Sequence, residues 1–207
     1  MDKQDHSRWI QHAQEAFENS IKVKEQVIKG HLDILVQMGK IITNSIQNGG
    51  KLFLCGNGGS AADAQHLAAE LLVRLRPHVN RQSLPAIFLA MDMSTITACG
   101  NDYSFEDIFA RPLEGLGNKG DVLLGITTSG KSPNVLSAFS RAKKMGITTL
   151  GFLGCKGGPA LELCDNAFVV PSDNTARIQE SHITAGHVVM EFVEEMLLDS
   201  RPKSVAS

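Results

Sequence analysis

Residues 51–70 read KLFLCGNGGSAADAQHLAAE, and this stretch decides the fold. A short apolar run, Leu52-Phe53-Leu54, stops at Gly56-Asn57-Gly58-Gly59-Ser60, and a helix-forming segment follows at once. The pattern is a strand, a tight glycine turn and a helix N-terminus. Glycines let the backbone approach a ligand, and the first N–H groups of a helix point outward with the positive end of its dipole. A turn built on Gly58, Gly59 and Ser60 therefore suits a phosphate or another anion. Within the helix His66 and Glu70 are four residues apart, so both side chains lie on one face. An anion cradle beside a paired imidazole and carboxylate points to chemistry on a phosphorylated small molecule.

The same grammar recurs downstream. Strands are expected at residues 52–55, 86–90, 122–127, 149–153 and 167–170. Helices are expected at 61–76, 105–116, 134–145, 159–164 and 176–198. Short apolar strands separated by helices imply an α/β fold, a five-stranded parallel sheet with helices on both faces. Ligands in such sheets bind beyond the carboxyl ends of the strands. Upstream, residues 4–48 hold no strand. Trp9, Ala13, Phe17 and Ile21 recur at helical spacing, and Ile28, Leu32, Leu35, Met38 and Ile42 continue the pattern. Gly30 interrupts it, so two helices are expected, closed by Gln47-Asn48-Gly49-Gly50. Their apolar face packs either on the chain's own sheet or on a second copy. The organisation is thus one domain over 1–207: an N-terminal helical segment (1–48), an α/β ligand-binding core (51–199) and a frayed tail (200–207).

Size and composition agree. The 207 residues suffice for one well-packed domain, with 43% hydrophobic and 20% charged residues. A formal charge of −2 leaves no electrostatic footprint for nucleic acid. No apolar run approaches the roughly 20 residues of a membrane span. The N-terminal MDKQDHSRWIQHAQEAF is polar and lacks the apolar core of a signal peptide. Cys55, Cys99, Cys155 and Cys164 show no CxxC spacing and read as thiols in a reducing compartment, so a cytoplasmic protein is expected.

Two further segments carry chemistry. Gly125-Ile126-Thr127-Thr128-Ser129-Gly130-Lys131-Ser132 also follows a strand, and Pro133 suits the first turn of the next helix. Thr127, Thr128, Ser129 and Ser132 offer hydroxyls around the same backbone nest, and Lys131 adds a charge. The spacing is not that of a P-loop. A lone hydroxyl-rich helix start is usually an N-cap; two such turns after two parallel strands favour a ligand. The third segment is Ala176-Arg177-Ile178-Gln179-Glu180-Ser181-His182-Ile183-Thr184-Ala185-Gly186-His187. His187 lies eight residues after Gln179 on one stripe; taken alone, it reads as a packed core histidine. Arg74, one turn past Glu70 on the expected helix, is placed to neutralise the carboxylate, to hold an anionic substrate or to form an exposed ion pair. Asn101-Asp102 reads as a turn with Asx hydrogen bonds. His6, His12, His31, His78 and His182 have no partner pattern and read as structural or solvated.

With CGNGGSAADAQHLAAE, GNDYSFEDIFARPLEGLGNKGDVLLGITTSGKSPN and ARIQESHITAGH in hand, the chain resembles the sugar isomerase (SIS) fold and, within it, the phosphoheptose isomerases. That family interconverts sedoheptulose 7-phosphate and an aldoheptose 7-phosphate. The match runs in order over nearly the whole chain. It implies a single SIS domain, a homotetramer with a helical core, and active sites at subunit boundaries. It also implies one Zn²⁺ per subunit at positions matching His66, Glu70, Gln179 and His187, with Glu70 and His187 as the acid–base pair. Ser60, Thr127, Thr128, Ser129 and Ser132 would hold the phosphate, with Asn57, Asp102 and Arg74 near the sugar hydroxyls. Asn101, Gly58 and Gly59 fall in the same binding segments. Departures are mild: Thr127 where serine is expected, Lys131 for an uncharged residue, and Ala69 beside the glutamate.

The chemistry is consistent with that transfer. Ketose–aldose isomerisation needs a base for the proton beside the carbonyl, an acid to return a proton across the enediol, and stabilisation of the developing oxyanion. Glu70 can abstract, and His187 can shuttle a proton between the oxygens or to the second carbon. Imidazole and carboxylate suit zinc, while a glutamine carbonyl is an unusual ligand. On a straight helix Gln179 and His187 are about 12 Å apart along the axis. Either Gln179 precedes the regular helix or the two come from different subunits, and the second is favoured. The competing readings are a non-catalytic tetramer of this fold that binds a replication initiator protein, and a sugar-phosphate-sensing regulator. His187 speaks against the first. The second lacks any segment resembling a DNA-binding module.

Overall fold

The computed structural model describes residues 3–199, so the tail expected at 200–207 lies outside the described residues. Two helices open the chain, α1 (Lys3–Gly30) and α2 (Leu32–Gln47). Then come β1 (Leu52–Gly56), α3 (Gly59–Leu72), β2 (Ala86–Phe88), α4 (Met93–Asp102) and α5 (Ala110–Leu116). The chain continues with β3 (Val122–Thr127), α6 (Pro133–Met145), β4 (Thr148–Leu153), α7 (Ala160–Leu163), β5 (Asn166–Val169) and α8 (Thr175–Asp199). All pairings are parallel, in the order β2-β1-β3-β4-β5. The chain enters its sheet at β1, one strand in from an edge, steps outward to the edge strand β2, and returns to the other side of β1. The order therefore reverses between β1 and β3, and a crevice opens there beyond the strand ends.

Alternation along each strand sorts the core into two layers. Leu52 and Leu54 point with Val122, Leu124, Ile126, Leu150 and Phe152 toward α2, α3 and α8. Phe53, Cys55 and Leu123 point the other way, with Phe109, Leu113, Val135 and Phe139 of the α5–α6 side. β1 and β3 are buried along their full length, which explains why they read as unbroken apolar runs. Buried Asp121 pins the entry of these two strands. Its carboxylate accepts from the Lys51 backbone at 2.9 Å, the Lys51 ammonium at 3.0 Å and the Asn118 backbone at 2.8 Å.

The two N-terminal helices behave differently. On α2, Leu35, Met38 and Ile42 are buried in the first layer. On α1, Trp9, Ile10, Phe17, Ile21 and Ile28 stay exposed, Phe17 by 75%. The expected break at Gly30 is where α1 ends.

Four expectations need correction. The helix expected to run to residue 76 stops at Leu72, with Val73 as its cap donating to the Ala69 carbonyl, so Arg74 lies beyond it. Residues 105–116 form a single 3₁₀ turn, Phe105–Asp107, followed by the separate α5. Asn101 and Asp102 belong to α4, a helix rather than a turn; the Asp92 carboxylate starts it by accepting from the Thr95 backbone at 2.8 Å. Gln179 lies inside α8 and does not precede it.

His182 is fully buried on α8, stacked on Phe152, and donates from Nε2 to the Leu153 carbonyl at 3.0 Å. That fixes the tautomer and leaves Nδ1 unpaired. Burial pushes its pKa down to about 4, against the upward pull of the carbonyl. The folded protein thus resists a proton that the unfolded chain accepts near pH 6.5. Stability should be unaffected by this group above that pH and should fall between about pH 6.5 and 4, at up to about 1.4 kcal/mol per pH unit. His182→Gln keeps a donor for Leu153 and should flatten this acid limb in urea unfolding measured from pH 7.5 to 4.5. An unaltered limb would exclude His182 as its source.

Candidate active site

α3 and α8 lie side by side and run in the same direction, since contacts between them follow the same order along both helices. At their starts, a Cβ on Gly59 would sit 1.8 Å from the Gln179 amide nitrogen. In the middle, a Cβ on Gly186 would meet the Leu67 side chain at 2.6 Å. Glycine at these positions lets the helices approach closely. As a result, His66 Nε2 stands 2.8 Å from His187 Nε2, with Glu70 Oε1 3.2 Å from the same His66 nitrogen. One ligand-type atom from each of the three residues lies within 4.8 Å of the others. Two imidazole nitrogens and a carboxylate oxygen facing one point either share a proton or surround a cation. This donor set fits zinc, which takes nitrogen and oxygen ligands at about 2 Å.

Asp63, one turn before His66, was not among the expected site residues. Burial pushes its carboxyl up, against the opposing pull of the His66 and His187 charges, and its Oδ2 is buried without a hydrogen-bond partner. It belongs electrostatically to the same cluster. The signal was available in the sequence: Asp63, His66 and Glu70 recur at the three- and four-residue spacing of one helix face.

The two turns at the switch point form a second feature. Gly58 (φ +54°) caps α3 and Ser132 caps α6, yet neither helix start receives a side-chain cap. The Ser132 hydroxyl instead meets the Thr127 hydroxyl at 3.0 Å, and the Ser129 hydroxyl accepts from the Lys131 backbone at 3.2 Å. Ser60 and Thr127 are buried, Thr128 and Ser132 half-buried, and Ser129 exposed. Uncapped helix starts ringed by hydroxyls suit an anion. Asn57 and Asn134 bind the two turns to each other through a reciprocal amide pair, each donating to the other at 2.8 Å. Asn134 also receives the Val135 backbone N–H at 3.0 Å. The loop after β4 seals the far side: Ala160 donates to the Gly130 carbonyl, and any side chain at Gly130 (φ +65°) would strike the Gly157 carbonyl.

Other expected residues are placed elsewhere. Arg74 is exposed beyond α3. Asn101 donates to Asp102 at 2.8 Å on the exposed end of α4, on the opposite face of the sheet from α3. Gln179 packs at Gly59, two helical turns before His187 on an unbroken α8.

Comparison with known proteins places this geometry in a context. Residues 16–154 match the family model of the SIS domain. The phosphoheptose isomerase of Chlorobaculum parvum is 51% identical over 86% of this chain and 86% of its own length. The solved structure of a phosphoheptose isomerase from Francisella tularensis superposes with a TM-score of 0.86 at 38% identity, covering 90% of this chain and 98% of that one. That of the Neisseria gonorrhoeae phosphoheptose isomerase gives 0.84 at 36% identity, covering 90% and 99%.

The Asn57–Asn134 pair should be energetically coupled. In a double-mutant cycle of Asn57→Ala and Asn134→Ala, followed by urea unfolding, each single change should destabilise by about 1–3 kcal/mol, with a coupling of at least about 1 kcal/mol. Simple additivity would mean that the two amides do not hold one another.

Proposed function

This chain belongs to the SIS-domain family and, within it, to the phosphoheptose isomerases, which makes it an aldose–ketose isomerase of sugar phosphates; from that premise we propose that its substrate is sedoheptulose 7-phosphate. The product is D-glycero-D-manno-heptose 7-phosphate, formed through an enediol in the first step of ADP-heptose synthesis for the lipopolysaccharide core. The observation that carries this reading is the convergence of Glu70 and His187, 117 positions apart in sequence by their numbers, on one point beside His66. Glu70 takes the proton from the carbon next to the carbonyl, and His187 moves a proton between the two oxygens. Ser60, Thr127, Thr128, Ser129 and Ser132 hold the phosphate at the two uncapped helix starts. Asn57, Gly58 and Gly59 of the first turn lie toward the sugar, and Arg74, Asn101 and Asp102 keep the substrate-binding role that the resemblance implies.

His66, Glu70 and His187 are the residues that would hold Zn²⁺, with Gln179 as fourth ligand. When bound, the ion supplies Lewis acidity toward the carbonyl oxygen of the sugar. Because Gln179 and His187 are about 12 Å apart along a regular α8, the glutamine reaches the cluster from another subunit. The exposed apolar residues of α1 support a homotetramer whose helical core they would fill. Free thiols at all four cysteines suit a cytoplasmic setting. No helix among the described residues is long and apolar enough to cross a membrane. The non-catalytic reading, a partner of a replication initiator, gains no support from relatives that are named as isomerases.

Purified protein incubated with sedoheptulose 7-phosphate should form the aldose. Glu70→Gln and His187→Gln should each lower kcat at least about hundredfold while leaving the oligomer intact. If both variants keep full activity, the assigned roles fall. Independently, elemental analysis should find about one zinc per subunit in the parent protein and its loss in His66→Ala. A metal-free, fully active parent protein would remove the ion from the scheme.

A further inference from the structure

The geometry assigns Arg81 and Glu194 a positioning role: together they form a clamp that sets where Glu70 stands relative to His187. The inference rests on the reading of Glu70 and His187 as the acid–base pair and extends it to two residues outside that pair.

α3 ends at Leu72, so the carbonyls of its last turn have no partners inside the helix. Arg81, from the loop that follows, turns back under this end. Its Nη2 donates to the Glu70 carbonyl at 2.7 Å, and its Nη1 donates to the Leu71 carbonyl at 2.8 Å and to the Gln82 carbonyl at 3.0 Å. Its Nε donates to Glu194 Oε1 at 2.6 Å. The guanidinium is planar and its donors diverge at fixed angles, so one group grips the backbone of Glu70 and the side chain of Glu194 at once. The positive charge also lies at the negative end of the α3 dipole.

Glu194 lies seven residues after His187, two turns along the same stripe of α8. Its side chain is 0% exposed and that of Arg81 1%. Burial alone would raise the Glu194 pKa, but the Arg76 and Arg81 guanidiniums outweigh it and hold the carboxyl below its usual range. The second carboxylate oxygen accepts from Arg76 Nε at 2.7 Å, and Arg76 Nη1 reaches Glu195 at 2.6 Å. Thus α3 and α8 are pinned at two levels: at His66–His187 by direct contact, and at the end of α3 by Arg81 on Glu194. Between those levels stands Glu70, whose own carbonyl is one of the clamped atoms.

A buried ion pair is weak evidence for stability, since apolar replacements are often as stable. Here the two arginines separate the roles. Both pair with Glu194, but only Arg81 touches Glu70. If the cluster merely stabilises the fold, loss of activity will follow loss of melting temperature for either arginine. If it positions Glu70, turnover is lost on changing Arg81 or the Glu194 arm that holds it but not on changing Arg76, because small misplacement of a reacting group is costly.

The test uses the full chain at a temperature where every variant is folded by circular dichroism. Arg81→Lys and Glu194→Asp keep their charges but break the fork or shorten its arm, so each should lower kcat at least tenfold with KM within threefold. Arg76→Gln should lower the melting temperature and leave kcat within twofold. Glu70→Gln serves as reference. If it is inactive while folded Arg81→Lys and Glu194→Asp turn over like the parent, the clamp is refuted and the acid–base reading stands. If Glu70→Gln itself remains active, both fall together. Should Arg81→Lys fail to fold, Glu194→Asp alone decides.

Discussion

The closeness of α3 and α8 is the constraint on which the rest depends. Two helices in a globular core ordinarily stand 8–10 Å apart, with side chains between them. Here glycine replaces a side chain at the start and in the middle of the contact, at Gly59 against Gln179 and at Gly186 against Leu67. The approach is what lets two imidazole nitrogens meet at 2.8 Å. It also shields the cluster on one side with Leu67, Ala68 and Leu71, which belong to the core layer under α3. A methyl group at 186 would press on Leu67 and move His187 away from His66.

The sheet contributes a second element by its order of strands. Because β1 sits between β2 and β3, the connections after β1 and β3 diverge, and their helix starts face one crevice. Neither N-cap residue, Gly58 or Ser132, caps its helix with a side chain, although Asn134 accepts from the Val135 N–H within α6, and the Asn57–Asn134 pair ties the two turns together. Electrostatics does the remaining work: the crevice has the positive ends of two helix dipoles, while the cluster on α3 carries the carboxylates.

Two features of the single chain bear on the proposed assembly. α1 presents Trp9, Ile10, Phe17, Ile21 and Ile28 to solvent, more apolar surface than a lone helix would carry without a partner. Gln179 is held against Gly59 instead of near His187. Both features agree with the proposed assembly in which subunits complete one another's sites. Arg177 shows how the long α1 is steadied meanwhile, by donating from α8 to the Ala16 carbonyl and pairing with Glu180 at 2.6 Å.

Much of this was legible in the order of residues. Strand–glycine–helix patterns located β1, β3 and the turns after them, because backbone conformation and apolar periodicity are local properties. The pairing of His66 with Glu70 follows from helical spacing alone, and Asp63 falls on the same face by the same rule. Local rules misplaced the end of α3, since Arg81 caps its last carbonyls from a loop with no helical signature, and they missed α4, whose Met-Ser-Thr-rich stretch is a weak helix former. Nothing in the sequence around Glu194 sets it apart, yet it is fully buried between two arginines. What the sequence by itself determined was most of the elements, the parallel sheet and the presence of the chemical groups. Which groups meet was decided only by tertiary packing, because the contacts of His66 with His187 and of Glu70 with Arg81 depend on how closely one helix lies against another, and no spacing along the chain encodes that distance.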